Sequence, residues 1–210
     1  MSTEGKRNWV ELAATILLAF AAVATAWSSY QATRWNGEQA KTSSRVNKIR
    51  IEAARAAGRA NAETQVDIAT FIQWVDAYAQ DQTELESFYR TRFREEFKPA
   101  FDAWIATRPL ENTDAAPTPF ALPQYELASA AEAARLDAQA EALSATVRRD
   151  IQRASNYVLA VVLFAVALFF AGMSTKLAAA GLRTAMLAVG WFLFVEVSLW
   201  VATSPMSVGV

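Results

Sequence analysis

Three apolar runs decide most of what this chain can fold into: Trp9 to Tyr30, Tyr157 to Met173, and Thr184 to Thr203. A helix rising about 1.5 Å per residue needs about 20 apolar residues to cross a hydrocarbon core of about 30 Å, and each run approaches that length. Three transmembrane helices are therefore expected. The connection between the second and third is short, whereas the residues between the first and second are mostly polar. One extramembrane domain should be inserted there.

The first run reads in two ways. Lys6 and Arg7 followed by Leu12 to Val23 and the triplet Ala24-Thr25-Ala26 have the layout of a cleavable signal. Against this, no Gly or Pro follows until Gly37, and helical spacing resumes beyond it. A retained helix is the expectation. Trp27, Tyr30 and Trp35 then form an interfacial aromatic belt, with Arg34 reaching lipid headgroups and Arg148, Arg149 and Arg153 doing the same on the returning arm.

From Glu38 to Gln80 the chain has no Pro and one Gly, and apolar or small residues recur at three and four residue steps. The stripe is Val46, Ile49, Ala53, Ala56 or Ala57, Ala60, Thr64, Asp67 or Ile68, Phe71, Val75 and Tyr78. Tyr125 to Arg153 repeats the composition, with Leu136, Ala140, Leu143, Val147, Ile151 and Ala154 on one face. The expected fold is all-α: three transmembrane helices with a long antiparallel, coiled-coil-like helical stalk and a small helical head. An Ala-rich hairpin buries little apolar area alone, so a homo-oligomer through transmembrane and stalk helices is expected.

In boundaries, this gives an N-terminal tail at 1–8, span one at 9–30, an outgoing stalk helix at 31–80 and an aromatic head at 81–107. A Pro-rich crossover follows at 108–124 and a return helix at 125–154. Span two covers 155–173, a short loop 174–183, span three 184–203 and a C-terminal tail 204–210. In the head, Leu85, Phe88, Tyr89, Phe93, Phe97, Phe101 and Trp104 supply the core of a cap, with a ligand site as the alternative, and Pro99 suits the start of a short helix.

The chain has neither Cys nor His. That removes disulfides, thiolate nucleophiles, the usual zinc sites and any Ser-His or Cys-His dyad. No phosphate loop, dinucleotide fingerprint or metal motif occurs, so no cofactor, no metal and no enzymatic activity are expected. The formal net charge is −1 and the one basic stretch lies beside the membrane, which argues against nucleic acid. That stretch holds Arg34, Lys41, Arg45, Lys48, Arg50, Arg55 and Arg59 against Glu38 and Glu52, while residues 60 to 147 are acid-rich. The collar reads as a solvated helix face near headgroups, or as a surface that gathers anionic lipid.

Two features inside the spans carry candidate function. Glu11, Thr15, Leu18, Ala22, Thr25 and Ser29 share one face of span one. That face either lines a water path with Glu11 at its mouth or packs against another helix, and both readings require it to be covered. Glu196 sits 13 residues beyond Arg183, roughly 20 Å into span three. A carboxylate there needs a partner, water or a proton. Thr25, Ser28, Asn156 and Tyr157 are the candidates at that depth, for ion coordination, proton relay or a structural hydrogen bond.

The segments WSSYQATRW, FREEFKPAFDAWIATRP and NYVLAVVLFAVALFFAGMS together resemble a bacterial family of three-span membrane proteins. Its marks are a W-S-x-Y-Q-A-x-x-W exit from span one and an F-x-P-x-F-x-A-W head motif. The resemblance implies that the loop between spans two and three is the inner one, and it implies no activity. A raw count of basic residues favours a cytoplasmic stalk, whereas weighting short loops gives the same orientation as the resemblance, an inner (plasma) membrane protein with a cytoplasmic N-terminus and an extracytoplasmic stalk. The expected function is an oligomeric ion-conduction pore lined by span one. The alternative is a membrane-anchored scaffold, sensor or accessory subunit whose head binds an envelope protein partner.

Overall fold

The computed structural model describes residues 3–109 and 111–207, with side chains from Trp9 onward. The side chains of Lys6 and Arg7, Leu110 of the crossover and residues 208–210 of the tail lie outside the described residues. Five α-helices form: α1 Thr3–Ala79, α2 Thr83–Arg92, α3 Lys98–Ala106, α4 Ala128–Lys176 and α5 Ala180–Thr203, with a short 3-10 turn at Pro119–Ala121. Among the described residues there is no strand. Helices α1, α4 and α5 are each long and apolar enough to cross a membrane.

Nothing in the α1 sequence stops the helix, because it contains no proline, and Gly37 and Gly58 sit at open positions with no atom near a would-be Cβ. It ends where Asp81 takes a left-handed φ of 55°. There the Gln82 N–H donates to the Ala77 carbonyl at 2.9 Å and the Asp81 N–H to the Tyr78 carbonyl at 3.2 Å. This is a Schellman closure with aspartate at the position that favours glycine. Pro99 falls in the first turn of α3, where its missing N–H is harmless. The connection expected over 174–183 shrinks to residues 177–179, because Ser174, Lys176, Gly181 and Arg183 all continue as helix.

The chain divides into two compact units, Met1–Ser44 with Leu143–Val210, and Arg45–Ala142. In the first, α1 continues unbroken through residues 30–37 and α4 through Ser155. Its core is built from small residues alternating with large ones. Ala14, Leu17, Ala171 and Leu187 form one layer, Ala160, Phe164 and Val197 a second, and Ala32, Trp35, Ala154 and Tyr157 a third. Gly190 marks the closest approach: a Cβ there would lie 3.1 Å from Leu17 Cδ2 and 3.3 Å from the Ala167 carbonyl oxygen. Small residues at such crossings let helices meet in lipid, where no hydrophobic force drives them together.

The second unit holds an aromatic core of Phe71, Trp74, Phe93, Phe97, Phe101 and Trp104, joined by Tyr89, Phe120 and Tyr125. Most ring pairs meet edge to face, such as Trp74 with Phe101 at 4.8 Å and 80°. Such pairs contribute about 0.5–1.5 kcal/mol beyond their buried area. The stripe expected on α1 is buried from Val46 to Ala60 and at Phe71, with Asp67 rather than Ile68. Beyond Phe71 it passes to Trp74 and Ala77, leaving Val75 and Tyr78 exposed, because the buried seam keeps a strict seven-residue repeat. Leu85 and Phe88, assigned above to the head core, stand exposed on α2. On α4 the buried position is Asp150, paired with Arg153 at 3.3 Å, and Ile151 is exposed.

Candidate functional site

In the first unit, the span-one stripe is turned away from the chain's own core. Glu11, Thr15, Ala22 and Ser29 are exposed and Leu18 and Thr25 half-buried, whereas the buried face lies one residue over, at Ala14, Leu17, Ala21, Ser28 and Gln31. Alanine wins the inward positions because it permits close packing. Thr15 and Thr25 need no partner helix, since each hydroxyl donates to the carbonyl four residues back, at 2.9 and 2.7 Å. Glu11 is ion-paired within its own chain, 3.2 Å from Arg183 at the start of α5.

Glu196 is also exposed, beside exposed Phe192, Val195 and Leu199. None of its four expected partners reaches it. Thr25 bonds to Ala21, Asn156 accepts from Gln152 at 2.9 Å, and the Tyr157 hydroxyl donates to the Pro205 carbonyl at 3.2 Å. The Ser28 hydroxyl is buried with no hydrogen-bond partner among the described residues.

Of the expected headgroup contacts, Trp27 and Tyr30 are exposed, with rings 5.9 Å apart. Arg34 is half-buried, and Arg148 and Arg149 are exposed. Trp35 departs from the expectation. It is buried, its Nε1–H donates to the Pro205 carbonyl at 3.2 Å, and the Arg153 guanidinium lies 4.5 Å above its ring. The Ser207 N–H donates to Gln31 Oε1 at 3.0 Å. The segment after α5 is thereby tied to α1 and α4, which the sequence reading missed. The signal for it was a glutamine on the buried seam of a span, a position that demands a hydrogen-bond partner.

In the second unit, the aromatic core leaves a cavity of about 270 Å³ open on one side. Helix α1 supplies Trp74, Val75 and Tyr78, α2 supplies Glu86 and Arg90, and α3 supplies Phe101, Trp104 and Ile105; Arg108, Pro109 and Glu111 close the rim. Trp74 and Tyr78, one turn apart, stack at 5.3 Å and 27°. Arg90 bonds Asp102 at 2.8 Å with its guanidinium 5.7 Å from the Phe101 ring centre. At the rim, Arg108 adopts a left-handed φ of 50° and lies 3.9 Å from Glu111.

Beneath this core a polar clamp joins the elements that carry it. Asp67 is fully buried; its Oδ2 accepts from Arg94 Nη1 at 2.9 Å and from the Tyr125 hydroxyl at 3.0 Å, while Oδ1 has no partner. Arg94 also bonds Glu96 and lies 3.6 Å from Glu63. Glu96 in turn accepts the Ala128 N–H at 3.1 Å and so satisfies a backbone donor at the start of α4, while Glu63 accepts from the Ser129 side-chain hydroxyl. Burial pushes the Asp67 carboxyl above its usual value, against the opposing pull of Tyr125 and Arg94. Burial also raises the Tyr125 phenol. For Arg94 burial disfavours the charge, but Asp67, Glu63 and Glu96 outweigh it and raise the group.

Among the described residues no cluster of acidic side chains has the arrangement of a metal site. Fold and site together define an all-helical protein with three helices fit to cross a membrane and a separate unit carrying an aromatic-walled cavity. No family model, no curated protein and no solved structure matches the chain.

Proposed function

We propose that the chain is a membrane-anchored binding module, a sensor or accessory subunit whose extramembrane unit takes a small, largely apolar ligand group in the aromatic cavity. One observation carries this. The rings that fill the core of the second unit also wall a cleft of about 270 Å³, open on one side, beside Trp74, Tyr78, Phe101 and Trp104. Pockets of this kind, apolar with a few polar groups at the rim, are the usual form of ligand sites. The spans hold the module in the bilayer, with Trp27, Tyr30 and Arg34 at the headgroup level and the second unit on the extracytoplasmic side of a bacterial inner membrane.

The test is calorimetric titration of the full chain in lipid nanodiscs with neohexanol, a compact neutral alcohol. Saturable binding is expected. It should be lost in Val75→Trp, which obstructs the cavity from an exposed position, and in Ile105→Trp, which fills it. The same saturable heat in both variants would overturn the reading.

A second reading, an oligomeric pore lined by span one, is favoured by a single observation: the chain's own packing leaves Thr15, Ala22 and Ser29 uncovered for neighbouring copies to close around. Ion flux through proteoliposomes that disappears in Thr25→Leu would support it. Absence of flux would remove it.

A further inference from the structure

We infer that the cavity of the second unit selects an organic cation of the quaternary-ammonium type, held by the Glu86 carboxylate and the ring faces of Trp74 and Tyr78. The inference rests on the binding-module reading above and adds the chemical class of the ligand.

The charge inventory of the cavity points this way. Two arginines border it, and both are already answered. Arg90 is held by Asp102 at 2.8 Å, and Arg108 faces Glu111 at 3.9 Å. Glu86 is the remaining charge. It is half-buried on α2, one turn before Arg90, and among the described residues it makes no side-chain hydrogen bond or ion pair. An anionic ligand would be repelled by this carboxylate and a neutral one returns at most a hydrogen bond, whereas a cation compensates its charge directly.

The walls favour the same class. An aromatic face carries the negative lobe of the ring quadrupole, and indole is the strongest of the natural cation acceptors. Trp74 and Tyr78 both line the cavity, stacked on one another at 5.3 Å. Arg90 over Phe101 shows the same preference met within the chain. A metal ion requires several oxygen ligands, and a primary ammonium needs acceptors for each N–H. A quaternary ammonium needs neither, and it is shed by water more readily. Its source is either a free solute or the headgroup of a choline lipid, which present the same trimethylammonium group.

The experiment uses the full chain in nanodiscs free of choline lipids, titrated with choline, with glycerophosphocholine and with neohexanol, in which carbon replaces the choline nitrogen. Choline or glycerophosphocholine should bind at least about tenfold tighter than neohexanol, and the tighter of the two identifies the source. Glu86→Gln should bring cation and alcohol to within about threefold of each other. The proposal is overturned if neohexanol equals the cations in the parent protein, or if Glu86→Gln preserves the preference. If none of the three binds, the binding-module reading falls with it, so the two failures are distinguishable.

Discussion

The clamp beneath the aromatic core sets up an asymmetry that mutation can read. The described ion pair of Asp67 is with Arg94 at 2.9 Å, whereas Arg94 keeps Glu96 and Glu63 if Asp67 is removed. Arg94→Met strands a fully buried carboxylate that already has one unpartnered oxygen. Breaking a buried pair in this way costs about 3–5 kcal/mol; because Arg94 is a quarter exposed, about 3 kcal/mol is expected. Asp67→Leu instead removes the orphan oxygen and takes one bond from Tyr125, whose hydroxyl still lies 3.2 Å from Thr64 Oγ1. A cost of about 1–2 kcal/mol follows. The double variant should be less destabilised than Arg94→Met alone, since no buried charge is left. Urea unfolding of the full chain, followed by tryptophan fluorescence, measures all three. If Arg94→Met costs less than about 1 kcal/mol, or Asp67→Leu costs more than Arg94→Met, the clamp does not work as described.

The same carboxyl gives a pH dependence opposite to that of an ordinary surface ion pair. Its folded value lies above the usual 3.8, so the folded state keeps the proton to higher pH than the unfolded chain. Its contribution is fully present below 3.8 and is lost as pH rises through the folded value; the stability of the parent relative to Asp67→Asn should therefore shrink with rising pH, and a gap that widens refutes the assignment. Asp81→Gly relieves a left-handed φ of 55° and should stabilise the second unit by about 0.5–1 kcal/mol in the same urea assay. Gly190→Val places methyl groups beyond a Cβ already 3.1 Å from Leu17; it should cost about 1–3 kcal/mol, read as lower thermal retention of fold in detergent, with Gly190→Ala milder. Trp35→Phe deletes the bond to the Pro205 carbonyl and should speed amide exchange at Ser207, and unchanged exchange would show that the bond holds nothing.

The all-helical class, the three long apolar helices and the passage of α1 beyond its apolar run were legible because each depends on local composition and period. The seam of α1 was legible as far as Phe71. It went astray at Trp74 because a bulky indole and a valine one position apart satisfy the same spacing rule. The short connection at 177–179 was overestimated, since Arg183 reads as a loop charge until Glu11, distant in sequence, is seen opposite it. Glu196 and Trp35 show the same limit: burial of a side chain near the end of an apolar run is decided by what crosses it. A ligand site at the head aromatics was legible only as the lesser alternative, and the shape and lining of the cavity were not. Its lining comes from α1, α2 and α3, and rings such as Phe101 and Trp104 have the same signature in sequence whether they fill a core or edge an opening. Asp67 was visible as an alternative to Ile68, but only tertiary contact with Arg94 and Tyr125 decides between them.

The carbonyl oxygen of Pro205 takes donors from two different helices at once, Trp35 on α1 and Tyr157 on α4. It therefore behaves as a keystone set after the arch is built: cutting the chain back to Ser204 would leave two aromatic donors and the Gln31 amide without answers in a single stroke. Reporters and purification handles fused to this terminus need a spacer long enough to leave Pro205 and Ser207 seated.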